Sequence, residues 1–170
     1  MTSILKVDTL QDASGSGTPY IKDAVLQVKN FQTGAMTTGT TLIPFDDTIP
    51  QITEGDEVMT LAITPKSASS KLKIDVVVNI ANDATVHLTT ALFVGTTANA
   101  LACASTLAIA NNEQNIKFTH YMEAGATTEL TFRVRAGGSG AGNTTFNGQN
   151  EVAKFGGVSS SSITIMEIGG

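Results

Sequence analysis

Apolar and polar residues alternate along much of this chain with a period of two. Residues 71–80 show the pattern most clearly, because every second residue is aliphatic and the positions between include Lys71, Lys73 and Asp75. Comparable alternation marks residues 86–94, 115–123 and 128–136. Weaker strand patterns cover residues 25–33, 40–45, 57–64, 101–109, 144–147 and 162–168. Eight or more short strands with polar turns between them predict an all-β fold, an antiparallel β-sandwich or barrel.

The first 24 residues differ from the rest of the chain. A short apolar patch, Ile4, Leu5, Val7 and Leu10, is followed by a turn-rich stretch of Gly, Ser and Pro. A patch this small cannot form a core of its own. We therefore predict an extended N-terminal anchoring arm at residues 1–24 and a β-domain at residues 25–170.

Residues 96–110 leave two interpretations open. The segment is rich in Ala, so a helix capped at Thr96 or Thr97 is one reading. The apolar residues from Leu101 to Ile109 fit alternation equally well. We favour a strand, because the segments on both sides are predicted strands.

Composition narrows the function classes. Charged residues are only 15% of the 170-residue chain, whereas about 25% is usual. A surface with so few charges suggests an oligomer or a larger assembly. The net charge of −5 and ten scattered cations argue against nucleic acid and against an anionic membrane surface. No apolar run is long enough for a membrane-spanning helix, and the N-terminus has no secretory signal pattern, so synthesis in the cytoplasm is expected.

The most acidic stretch is residues 44–57, PFDDTIPQITEGDE. Its carboxylates are Asp46, Asp47, Glu54, Asp56 and Glu57. Neighbouring carboxylates on an extended chain point to opposite faces, and the spacing does not match an EF-hand loop. We interpret the stretch as a solvated connection between strands. A weak calcium site and an acid/base site remain the alternatives.

Other reactive residues are few. His120 falls on the apolar face of its strand, which favours a hydrogen-bonded core histidine, with a subunit interface as the alternative. His87 lies opposite the apolar set of its strand and reads as a surface residue. Cys103, the single cysteine, excludes an internal disulfide or a multi-cysteine zinc site, and its apolar neighbours suggest a buried thiol. We assign no catalytic, cofactor-binding or metal residues and expect no cofactor.

Two glycine- and serine-rich stretches, residues 137–143 and 155–162, follow strand patterns. The first lacks the Gly-Lys-Ser/Thr ending of a phosphate-binding loop. Both are predicted to be loops, and their composition specifies no ligand.

Several segments together resemble known proteins. Residues 44–75, TALFVGTTANALA (90–102), TFRVRAGG (131–138) and SSITIMEIGG (161–170) resemble a β-domain of bacteriophage tail-fibre and other virion proteins. SILKVDTLQDASGSGTPYI (3–21) resembles the N-terminal leader of marine-phage structural proteins. The resemblance implies a jelly-roll-like sandwich, a homotrimer and a place on the virion surface. It carries no functional residues over, and the lack of a shaft between leader and β-domain argues against a long fibre.

The expected function is that of a non-enzymatic virion surface protein, with the arm docked on other virion proteins. A short tail-fibre or tail-tip component that binds a host receptor or glycan is the leading hypothesis. A capsid decoration (cement) protein that stabilises the head is the alternative. A carbohydrate-binding module or a polysaccharide-degrading enzyme is a third hypothesis, supported only by the acidic stretch and the glycine-rich loops.

Overall fold

The computed structural model of this protein describes residues 23–170, which form antiparallel strands and one 3-10 turn, Phe155–Gly157. The strands are β1 (Val25–Thr33), β2 (Thr37–Gly39), β3 (Asp56–Ile63), β4 (Lys71–Asn82), β5 (Val86–Val94), β6 (Ala102–Ala108), β7 (Gln114–Glu123), β8 (Leu130–Gly138), β9 (Thr144–Phe146), β10 (Gly148–Gln149), β11 (Val152–Ala153) and β12 (Ser161–Ile168). Apart from Asp23 and Ala24, the predicted arm lies outside the described residues.

The eight long strands form two four-stranded sheets. The first sheet has the order β1-β12-β4-β7, and β9 and β2 extend it beside the second half of β4. The second sheet has the order β3-β8-β5-β6. Numbered along the chain, the eight strands follow the orders 1-8-3-6 and 2-7-4-5, which is jelly-roll connectivity. The predicted all-β, jelly-roll-like sandwich is confirmed.

The core lies between the two sheets and comes from the alternating residues. All five aliphatic residues predicted on one face of residues 71–80 are buried, and Phe132, Val134 and Ala136 of β8 face them. Strand β5 departs from the prediction, because Ala91 and Phe93 on its second face are buried too. The chain before β3 crosses that second face, and this crossing also shapes the candidate site.

The predicted strand at residues 40–45 is wrong. After β2 the chain leaves the first sheet, and Ile43 makes one backbone bond to Gly138 O, 3.0 Å long. Pro44 has no N–H with which to continue a ladder. The crossing is so close that a Cβ on Gly137 would lie 2.4 Å from Thr41 O. Gly137 and Gly138 belong to β8 and are buried. The first predicted glycine loop, residues 137–143, is therefore shortened to residues 139–143.

The ambiguous segment 96–110 contains strand β6, so the strand interpretation is confirmed for residues 102–108. Its inward face carries the small residues Ala102, Ala104 and Ala108, whereas Leu107 and Ile109 are exposed. Leu107 lies opposite His87 of β5, on the outer face of the second sheet.

A buried carboxylate holds one end of the sandwich together. Glu167 of β12 is fully buried and accepts bonds from Gln27 Nε2 (2.6 Å) and from the N–H groups of Lys66 (2.7 Å) and Ser67 (3.2 Å). Burial acts to raise the pKa of Glu167, but these donors outweigh it and lower the pKa below its ordinary value of 4.5. The charged form therefore stabilises the fold.

Glu167→Gln is expected to reduce the free energy of unfolding by about 2 kcal/mol at pH 7, because charge-assisted hydrogen bonds are weakened. A depressed folded-state pKa contributes stability above the unfolded pKa and loses it as the pH falls through the folded value. The gap between wild type and variant should therefore shrink below about pH 4.5. Urea melts across pH 3–7 would measure it, with Glu123→Gln on the exposed edge of β7 as the control. A gap that stays constant with pH would contradict this role.

Candidate functional site

The acidic loop, defined here as residues 44–55, packs across the outer face of the second sheet. The ring of Phe45 stacks on the His87 imidazole of β5, with centroids 3.7 Å apart. Arg135 of β8 donates from Nε to the carbonyl of Glu54 at 2.8 Å. At φ +63°, Gly55 makes the turn into β3. The loop therefore connects β2 to β3, as predicted, and also covers the second face of β5.

The far half of the loop pairs with the chain that enters β6. Ala100 N donates to Pro50 O at 2.9 Å, and Ile52 N donates to Ala98 O at 2.8 Å. Gln51 and Asn99 form an isolated antiparallel bridge between these bonds. This short ladder fixes the loop against the edge of the second sheet.

The carboxylates of the stretch do not converge. Asp46 accepts from Thr48 N at 2.9 Å, and the Thr48 hydroxyl and N–H lower the pKa of Asp46. Glu54 accepts from Gln51 N at 2.9 Å, and Asp56 accepts from the Thr41 hydroxyl at 2.8 Å. These bonds close turns and fix the loop to itself.

Glu57 faces away from the others, toward the arginines of β8. Its carboxylate lies 3.0 Å from Arg133 Nη1 and 3.6 Å from Arg135 Nη1. Within residues 23–170 no group of three or more His, Cys, Asp or Glu is arranged to hold a metal ion. The acidic residues in these contacts therefore stabilise the loop and its junction with β8.

A shallow cleft of about 390 Å³ lies between the acidic loop and the start of β6. One wall carries Asp46, Asp47 and Ile49, and the other consists of residues 100–103. Glycoside hydrolysis needs two carboxylates that face each other across the scissile bond. Both acids are on one wall here, and the facing wall carries no carboxylate.

The histidines differ from their predicted settings. His120 lies opposite Ile74 on the inner face, but it is only half-buried, and its ring has no hydrogen-bond partner among residues 23–170. The hydrogen-bonded core histidine is therefore not observed. His87 is half-buried under Phe45, so it is not an ordinary surface residue.

The buried thiol predicted for Cys103 is wrong, because Cys103 is exposed. It lies opposite Ala91 on the outer face of the second sheet, beyond the edge of the acidic loop, and lines the cleft. The apolar neighbours that suggested burial include Ala102 and Ala104, which point the other way, into the sandwich.

Large apolar side chains are exposed at several places on the described surface. They are Val25, Val28, Phe31, Leu42, Phe45, Ile49, Leu107, Ile109, Tyr121, Val152, Phe155 and Val158. The sequence predicted a surface with few charges, but it did not predict where the exposed apolar side chains lie. The signal was present at β6, where the larger residues alternate with alanines.

No protein-family model matches the sequence, and no curated protein matches it. Among solved structures, this chain is similar to dimeric latent PorU from Porphyromonas gingivalis (TM-score 0.44, 8% identity, 94% of this chain). It is also similar to Eiger TNF from S. frugiperda (TM-score 0.46, 8% identity, 82% of this chain and 92% of that one). A third is infectious bursal disease virus, Gx strain (TM-score 0.37, 10% identity, 85% of this chain).

The chain spans 14% of the PorU chain and 37% of the bursal disease virus chain. The tailspike protein 4 enzymatically active domain of bacteriophage CBA120 is similar at a TM-score of 0.28 and 17% identity, over 73% of this chain and 19% of that one. The architecture therefore rests on this chain's own strand pairing, and these likenesses carry no function. Within residues 23–170, no helix is long and apolar enough to cross a bilayer.

Proposed function

We propose that this protein is a non-enzymatic structural protein of a bacteriophage virion, a trimeric β-sandwich held on the particle by its N-terminal arm. Its proposed role is that of a short tail fibre or tail-tip component that contacts a host receptor or glycan. The observation that carries the proposal is the apolar surface that the sandwich exposes. The acidic stretch, the main candidate for catalysis, makes structural contacts instead. The sequence resemblance to phage virion proteins gives the biological setting.

The surface supports permanent assembly. Leu107 and Ile109 at the end of β6 are 58% and 65% exposed, and Val25, Val28 and Phe31 are exposed on β1 at the opposite edge of the fold. Apolar side chains on both flanks suit a ring in which each copy covers two neighbours. Three copies close such a ring with one repeated contact.

Immunogold labelling of purified particles would test the location. An antibody to the β-domain is expected to label the tail or its tip. Labelling over the whole head would replace this role with capsid decoration. Particles without label, from a lysate in which the protein is abundant, would overturn the virion assignment.

The non-enzymatic part of the proposal has a separate test. Incubation with host envelope polysaccharide should release no reducing ends, because the cleft has carboxylates on one wall only. If reducing ends appear, the variant Asp46→Asn plus Asp47→Asn should be compared with Glu129→Gln, which lies outside the cleft. Activity lost only in the double variant would establish an enzyme.

A further inference from the structure

The four long edge strands of the sandwich, β1, β7, β3 and β6, are not equally protected against pairing with another strand. Edge strand β7 carries Lys117 and Glu123, whereas β1 carries Lys29 and a register shift after Val25. Edge strand β3 begins Asp56-Glu57 and also has a register shift. Charges and bulges are the usual means by which proteins block edge pairing.

Strand β6 has neither protection. Its sequence, ACASTLA, contains no charge and no proline, and its register with β5 is unbroken from Leu92↔Ala102 to Val86↔Ala108. Seven regular residues on an open edge form a template for an added strand. Among the long edge strands of residues 23–170, β6 is therefore the one without these protections.

The direction of the main-chain groups defines the template. Gly95 N donates to Thr131 O and Ser139 N to His87 O, so the odd-numbered residues of β5 bond to β8 and the even-numbered ones face β6. In the β5–β6 register these even-numbered residues pair with Ala102, Ala104, Thr106 and Ala108. Because donors alternate along an antiparallel strand, the N–H and C=O groups of Cys103, Ser105 and Leu107 point to the open edge. Within residues 23–170, the acidic loop occupies this edge up to residue 100, and no strand pairs with it beyond that residue.

The side chains beside the open edge favour an apolar partner strand. Cys103 is exposed, and Leu107 flanks the same edge with most of its surface uncovered. The apolar wall of the cleft continues the edge toward residue 100. A strand added here would cover these side chains as well as the main chain.

A segment of this chain fits that description. Residues 4–10, ILKVDTL, number seven, like β6, and carry one positive and one negative charge around four aliphatic side chains. The 22 residues before Asp23 span at most about 80 Å when extended, enough to reach a neighbouring copy. Asp23 donates to Gly169 O beside β1, so the chain enters the fold at one flank.

The strand orders place the donor and the acceptor on opposite flanks. Strand β1 contacts β3 on one side of the sandwich, and β6 contacts β7 on the other, three strand spacings or about 15 Å away. An arm that leaves one flank and pairs on the other flank of the next copy gives a head-to-tail contact that closes into a ring.

We propose that residues 4–10 of one copy add a strand to the open edge of β6 in a neighbouring copy. The pairing satisfies the outward N–H and C=O groups of residues 102–108 and covers Cys103 and Leu107. It gives the proposed trimer its repeated contact and rests on that trimer, but it does not depend on the virion location.

Amide hydrogen exchange in the full chain tests the pairing. The N–H groups of Cys103 and Ser105 should exchange at least 10-fold faster in Leu5→Asp plus Val7→Asp than in wild type. Ser14→Asp plus Ser16→Asp, which adds the same charge in the polar stretch, should leave them slow. The amides of Ala104 and Thr106, which face β5, serve as internal controls. Equal exchange of Cys103 and Ser105 in all three proteins would overturn the proposal.

The lone thiol tests which copy supplies the strand. At least one of the variants Leu5→Cys, Val7→Cys and Thr9→Cys should form a disulfide with Cys103 on oxidation and give covalent dimers and trimers. Adding Cys103→Ser to that variant should abolish the crosslinked species. A crosslink confined to single chains would overturn exchange between copies, as would the lack of any crosslink. Either result could occur while the antibody still labels particles, so it would leave the virion assignment standing.

Discussion

Phe132→Ala is expected to lower the free energy of unfolding by about 4 kcal/mol, the largest loss from one side chain in this account. Phe132 of β8 is fully buried between the two sheets, with Leu61 and Val94 as its cross-strand partners. Removing the ring leaves a cavity that the strands on either side cannot collapse to fill. Urea unfolding followed by far-ultraviolet circular dichroism measures the loss.

The matched control is Phe155→Ala. Phe155 is 75% exposed, in the 3-10 turn before β12, so the same truncation should change stability by less than about 0.5 kcal/mol. Similar losses for the two variants would mean that the two-sheet core is misplaced. A far-ultraviolet spectrum typical of helix in the wild type would contradict the fold altogether.

Deleting residues 1–20 is expected to leave the β-domain folded and to remove the protein from particles. All residues of the described core lie after Val25, the first residue of β1, so the deletion removes none of them. Cooperative melting should therefore persist. Incorporation should fall to background, because the arm is proposed both to join neighbouring copies and to attach the assembly to the particle. Quantitative blotting of purified particles, with input protein matched, measures it.

Two outcomes would contradict this expectation. Loss of cooperative melting in the truncated chain would show that residues 1–20 belong to the core. Normal incorporation would show that the attachment surface lies within residues 21–170.

Periodicity predicted the fold well where one face of a strand is buried. Strands β4 and β12 matched their predicted patterns, because a buried face and a solvated face leave opposite signatures in sequence. Strand β5 could not be predicted fully, since its second face is covered by a segment more than thirty residues earlier in the chain. Alternation in the sequence predicts which face of a strand is apolar, but it does not predict which segment covers that face.

Strand β6 shows the limit of the same reasoning. Its larger residues point outward and its alanines point inward, so hydrophobicity alone predicts the wrong face for Cys103. The inward face of β6 lies where the two sheets meet, because β6 is in contact with β7 of the first sheet. Apolar residues selected for contact with another chain look like core residues in one sequence.

The candidate site was predicted in part. The acidic stretch is a connection, as its prolines and adjacent aspartates indicated. Its course across the sheet was not predictable, because the Phe45–His87 stack and the Ala100–Pro50 bond join residues about 40 to 50 positions apart. Long-range pairs of this kind leave no local pattern.

The mass of the full chain in solution tests the central claim most directly, since every functional proposal here requires copies to assemble. Light scattering at micromolar concentration should give three times the chain mass of 17.6 kDa. A value that stays at one chain mass across that concentration range would contradict the assembly.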